Sequence, residues 1–148
     1  MRKLSLVLIL ALEVPARVLG QTPDTFEAIT ASIRYVQPEF PAPDIAVIAF
    51  AKTPIAAVYG RHRGLSVLSK AEAPACLADA PKSACRLPTP HTPVFIYVLE
   101  ISDQTAGIGI GWVNSVVKGR VGAKTVDLEL RKTSQGWQVT RERAREIT

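Results

Sequence analysis

The sequence predicts an α+β fold: an N-terminal helix packed on a curved antiparallel four-stranded meander, with a Pro-rich, disulfide-stapled middle segment. Three observations carry this expectation. Apolar residues recur at helical spacing between Asp24 and Gln37. Four stretches of β pattern follow one another from Val94 to Thr140, separated by short turns. Between these regions lie the only two cysteines, Cys76 and Cys85, among five prolines over residues 74–93.

The helix has a clear start. Asp24 can cap it, with Glu27 completing a capping box three residues on; alternatively Thr22 caps and Pro23 takes the first helical position. Phe26, Ile29, Ile33 and Val36 then recur at spacings of 3, 4 and 3, which is one helix face. Pro38 ends it, and residues 39–44, with Pro41 and Pro43, read as a linker.

Ile45 to Ala51 is an unbroken apolar run. Periodicity does not separate a buried strand from a helix there. The alternation of β-branched residues with alanine, and Pro54 close behind, favour a strand. Residues 55–71 fit either state, with Leu65-Ser66-Val67-Leu68 suited to a short strand.

The last third is plainer. Val94 to Ile101 is rich in β-branched and aromatic residues, and Ser102-Asp103-Gln104 turns the chain. Ala106 to Val117 forms a second strand, and Lys118 to Lys124, with Gly119 and Gly122, a second turn. Thr125 to Arg131 alternates so that Val126, Leu128 and Leu130 are buried while Asp127, Glu129 and Arg131 face water. Thr133 to Gly136 turns again, and Trp137 and Val139 point inward from a fourth strand. Short turns make an antiparallel meander the natural pairing. As a strand, the tail places Arg141, Arg143 and Arg145 on one face; as a helix it is a mixed charged surface. Either way it reads as a solvated face.

The N-terminus sets a compartment. Arg2 and Lys3 precede nine apolar-rich residues, Leu4 to Leu12, and Gly20 offers a small residue before a cut at Gln21. Nine residues fall short of the about 20 that a membrane-spanning helix needs. Residues 1–20 therefore read as a cleaved secretory signal, and residues 21–148 as a single secreted or periplasmic domain. Gln21 stands where a lipoprotein would need cysteine. Removing Arg2, Lys3, Arg17 and Glu13 lowers the formal charge from +5 to +3, fifteen cations against twelve anions. That mild excess does not suit a dedicated nucleic-acid binder, and no later apolar run is long enough to span a membrane. In an oxidising compartment Cys76 and Cys85 read as a disulfide. It closes a loop of about ten residues, worth about 2.5–3 kcal/mol in the chain-entropy model. Redox chemistry would want Cys-x-x-Cys spacing.

Few residues carry recognisable chemistry. Gly107-Ile108-Gly109-Ile110-Gly111 lacks the Gly-x-Gly-x-x-Gly spacing and strand-to-helix setting of a dinucleotide loop. Its glycines share one strand face, with Ile108, Ile110 and Trp112 on the other. A bare stripe of this kind lets another backbone approach, and it leaves room for a ligand groove under the N-terminal helix. Arg61-His62-Arg63, flanked by Gly60 and Gly64, is a solvated turn or an anion contact. His62 and His91 are the only histidines. No metal spacing surrounds them. Ser66 lies near His62, but no Gly-x-Ser-x-Gly elbow encloses any serine, and His91, between prolines, reads as loop. No pattern calls for a cofactor.

The alternating strand Thr125 to Arg131, its Gly-containing turn, Gly136-Trp137-Gln138-Val139 and the charged ending resemble the end of the nuclear transport factor 2-like (cystatin-like) α+β domains. In that class an N-terminal helix, here Asp24 to Gln37, packs on a curved antiparallel sheet. The resemblance covers about a third of the chain and implies a fold rather than an activity, because the class includes enzymes and non-catalytic domains.

The leading functional expectation is a secreted, non-catalytic domain that binds a small ligand or an envelope partner. One alternative is a small secreted hydrolase or isomerase pairing His62 or His91 with a carboxylate such as Glu72 or Asp103. The other is a purely structural envelope protein. Nothing in the sequence sets the oligomeric state. Thiol labelling of the denatured, unreduced exported protein is expected to find no free thiol; two labelled cysteines would refute the disulfide.

Overall fold

The computed structural model describes residues 23–49, 54–69, 91–117 and 120–147. The signal segment, Glu72 and both cysteines lie outside these residues. Helix α1 spans Pro23–Val36 and runs into a 3-10 turn, Gln37–Glu39. Strand β1 (Asp44–Ala49), helix α2 (Pro54–His62) and strand β2 (Ser66–Ser69) follow. Strands β3 (His91–Ile101), β4 (Thr105–Val117), β5 (Arg120–Thr133) and β6 (Gly136–Ile147) complete the order. They form one sheet in the order β2-β1-β3-β4-β5-β6. Pairs from β3 to β6 are antiparallel, whereas β1 pairs parallel with both β2 and β3. Among the described residues no helix is long and apolar enough to cross a membrane.

The architecture is α+β, with the expected helix on a mostly antiparallel sheet and the expected sequential meander. The sheet has six strands rather than four. The apolar run at Ile45 is β1, and Leu65 to Leu68 overlaps β2. Both find partners through crossovers, which no turn signal announces. A parallel strand covered on both faces reads as a continuous apolar run, as β1 does. His91 opens β3 instead of lying in a loop, paired with Asp44. Pro93 is tolerated inside β3 because the β4 ladder begins only at Val94. Residues 120–124, expected in a turn, belong to β5. Asp24 is the second residue of α1 and not its cap, which fits the alternative with Pro23 at the first position.

The α1 stripe is buried as its spacing requires: Phe26, Ile29, Ile33 and Val36 enter one core with Ile108, Ile110 and Trp112 of β4 and Val126, Leu128 and Leu130 of β5. Ser32 is also buried, and its hydroxyl donates to the Ala28 carbonyl at 2.9 Å, so the stripe leaves no orphaned polar group there. Helix α2 adds Ile55, Ala56 and Tyr59 to the same side. Gly60 lets its backbone sit close to the sheet, since a Cβ there would lie 2.6 Å from Val67 Cγ2. Thr92 ties the linker to β3, donating to the Ala42 carbonyl at 2.8 Å and accepting from its N–H at 3.0 Å.

Ion pairs hold both ends of α1. Lys132 Nζ meets Asp24 at 2.7 Å at the N-terminal end. At the other end Arg145 donates to both oxygens of Glu39, at 2.9 and 2.8 Å, and to Glu142 at 2.7 Å. Lys124 also reaches Glu39, at 3.4 Å. The Tyr35 hydroxyl donates to Glu142 at 3.2 Å. Arg145's hydrogen bonds hold the Glu142 carboxyl below the usual carboxylate range. The bond to Glu142 pushes the Tyr35 phenol up.

This placement of Arg145 corrects the alternation expected of the tail. Register shifts opposite Asp127/Leu128 and Glu129/Leu130 each insert a residue into β6. A bulge reverses the face of everything beyond it. Arg145 consequently sits opposite buried Val126 and turns to the helix side, away from Arg141 and Arg143.

Trp137 anchors the start of β6, 8% exposed, with Lys132 Nζ 6.0 Å from its ring centre. Gly136 precedes it at φ 101°, a left-handed conformation that suits glycine at this turn. Trp137→Ala is expected to lower stability by about 3–5 kcal/mol in urea denaturation; a variant as stable as the parent would refute the anchoring role.

Candidate functional site

The strongest candidate surface is the sheet face opposite the helices. Its pattern follows from β4. Ile108, Ile110 and Trp112 point into the core, so Gly107, Gly109 and Gly111 present the other face. The glycines therefore do not line the space beneath α1. Their cross-strand neighbours are Glu100, Tyr97 and Phe95 on β3 and Glu129, Asp127 and Thr125 on β5.

Those neighbours close over the stripe. A Cβ at Gly111 would lie 3.3 Å from Phe95 Cδ2, and one at Gly109 3.1 Å from Asp127 Oδ1 and 3.4 Å from Tyr97 Cβ. At Gly107 it would lie 3.0 Å from Glu100 Cγ and 3.5 Å from Arg143 Nη1. The missing side chains make room for aromatic rings at one end and for an ion network at the other. In that network Arg143 bridges Glu100 at 3.1 Å and Glu129 at 3.3 Å, and Arg141 reaches Glu129 at 2.8 Å. Each pair is exposed, so each contributes little stability by itself. Beside them stand Tyr97 and Leu99, exposed large hydrophobic side chains. Partial burial pushes the Tyr97 phenol up, leaving it neutral at physiological pH.

The basic cluster is divided by the fold. Arg61 is exposed in the last turn of α2. The His62 ring packs against Phe26, with centroids 4.8 Å apart. Arg63 turns back to α1, donating to Glu27 at 2.9 Å and to Thr30 at 2.7 Å. Its guanidinium also lies 6.0 Å from the Tyr59 ring centre. Tyr59 shares a 3.0 Å hydrogen bond with Thr30, and burial pushes its phenol up. Arg63 is thus a tie between helices.

The histidine–carboxylate pairs do not form among the described residues. His91 opens β3 and Asp103 follows its far end. At about 3.3 Å per residue the eleven-residue strand holds them about 30 Å apart. Among the described residues no three His, Cys, Asp or Glu side chains gather to hold a metal ion.

Tyr97 and Leu99 belong to no motif in the sequence. The signal was present in β3. Val94 and Ile96 carry its buried alternation, which leaves Phe95 and Tyr97 on the face that the glycines expose. Leu99 escapes the alternation because β3 shifts register between Val98 and Glu100.

Gly107→Val is expected to displace Glu100, break its pair with Arg143 and destabilise the protein by about 1–3 kcal/mol, read from urea denaturation; an unchanged midpoint would show that this crossing does not need glycine. Comparison with protein-family models, with curated proteins and with solved structures finds no match to this chain.

Proposed function

We propose that this chain is an exported, non-catalytic domain that binds an envelope protein through the sheet face around Tyr97. One observation carries the reading: Tyr97 and Leu99, 37% and 49% exposed, stand in water on the part of β3 that runs beside β4, next to the Glu100–Arg143–Glu129 ion network. Aromatic and aliphatic anchors inside a polar rim suit a protein interface. The stripe at Gly107, Gly109 and Gly111 supports the protein-binding arm over the small-ligand arm, because neighbouring side chains close over the glycines. Export rests on the positive n-region, the short apolar core and Gly20.

The hydrolase or isomerase alternative needs an acid and a base within hydrogen-bond reach. Among the described residues no carboxylate pairs with His62, whose ring stacks on Phe26, and His91 lies a strand's length from Asp103. The structural alternative offers no account of a tyrosine and a leucine left in water on the same strand.

The test is site-specific photo-crosslinking in producing cells. A photo-reactive residue at Leu99 is expected to give a discrete adduct with one other protein, whereas the same residue at exposed Arg34 on α1 gives none. Tyr97→Ala is expected to abolish the adduct without changing the melting temperature. No adduct at Leu99, or equal adducts at both positions, would overturn the reading.

A further inference from the structure

Two neighbouring cross-strand rows of the helix-free face share a bare glycine but differ in what flanks it. In the Gly107 row Glu100 of β3 and Glu129 of β5 stand on either side. Arg143 of β6 reaches over the glycine and pairs with both, at 3.1 and 3.3 Å. Its Nη1 is 3.5 Å from where a Gly107 Cβ would lie. The guanidinium thus uses the room that a side chain would fill, and it shares its charge between the two carboxylates.

The Gly109 row repeats that geometry with one part changed. Tyr97 flanks the glycine on β3 and Asp127 flanks it on β5. Asp127 Oδ1 and Tyr97 Cδ2 lie 3.1 and 3.6 Å from the place of a Gly109 Cβ. Carboxylate and ring therefore border the same bare stretch of backbone. On β6 the residue opposite Asp127 is Ala144, too short to reach across the row. The register shift at Asp127/Leu128 inserts Arg143 ahead of Ala144, and that arginine serves the Gly107 row instead. Asp127 is half-buried, and among the described residues no cation pairs with its carboxylate and no donor bonds to it.

A protein that docks on Tyr97 covers this carboxylate as well. Taking a charge out of water without a partner is strongly unfavourable. Glu100 and Glu129 already have Arg143 and Arg141; Asp127 needs its cation from the docking surface. The setting selects among cations. A metal ion wants several oxygen ligands, whereas here one carboxylate stands beside an uncharged ring. A guanidinium is flat, gives one carboxylate two parallel N–H bonds and packs on aromatic rings. The neighbouring row already holds one over its glycine.

We infer that the Tyr97 face takes a partner that lays an arginine side chain over Gly109, between the Tyr97 ring and the Asp127 carboxylate. This rests on the protein-binding reading above and names the chemistry of that partner.

The test repeats the Leu99 photo-crosslinking in producing cells with variants of the full chain. Asp127→Asn is expected to lower the adduct by about tenfold, with no change in melting temperature. Glu146→Gln removes a charge from the same face, opposite Thr125, and is expected to leave the adduct at the parental yield. Peptide mapping of the parental adduct is expected to find an arginine of the partner beside the linked position. Changing that arginine to aspartate is expected to restore the adduct of Asp127→Arg. Parental yield from Asp127→Asn, equal losses from Asp127→Asn and Glu146→Gln, or no arginine at the mapped position would sink this inference and leave the protein-binding reading standing. No adduct from the parent would overturn both.

Discussion

Strand β4 puts all its bulk on one side, and most of the structure depends on that. Ile108, Ile110 and Trp112 are fully buried beneath α1 and its neighbours. Gly107, Gly109 and Gly111 add nothing to the reverse face. One strand near the middle of the sheet thus fixes a thick layer and a thin one. The thick layer accounts for the spacing of the α1 stripe, and the thin one lets Phe95, Tyr97 and the Glu100–Arg143 pair lean across β4 from both sides. Apolar burial supplies the stability here, at about 25 cal/mol per Å². The exposed ion pairs add direction more than energy.

Those pairs still do two jobs. On the helix side they fix where α1 lies along β5, because Lys132 holds its first turn and Lys124 the turn after its end. On β6 they help guard an edge. An open edge strand is a template for unwanted pairing, which charges and bulges discourage. Strand β6 carries five charged residues between Arg141 and Glu146 and two register shifts. The far edge, β2, is only four residues long and presents little ladder to pair with.

The sequence made some of this legible for physical reasons. The helix, the meander and the burial of Val126, Leu128 and Leu130 follow from local periodicity, and local periodicity survives without knowledge of the partner. The parallel half was harder. That β1 is a strand could be read from its apolar run, but its neighbours β2 and β3 are joined through α2 and residues 70–90, so no hairpin turn marks the pairing. The bulges of β6 leave no local signature either: Arg145 has the same spacing from Arg143 as Arg143 from Arg141, and only the register against β5 separates them. At the candidate surface, the glycine stripe pointed to a bare strand but not to the side chains that lean over it. Arg63 read as part of a solvated turn, or else an anion contact, because its partners, Glu27 and Thr30, are more than thirty residues away.

The position of α1 has a consequence for the order of events during synthesis. This helix leaves the ribosome early, yet most of the surface that shelters its apolar stripe lies between Ala106 and Trp137. A chain made from its N-terminus must carry Phe26, Ile29, Ile33 and Val36 uncovered while some seventy further residues are added. Long-range contacts of this kind slow folding and prolong exposure to aggregation. Completion waits on β6, whose Arg145 locks the turn after α1. A chain that stops before Gly136 thus lacks the strand that closes the fold, whether it emerges from a ribosome or from an export channel.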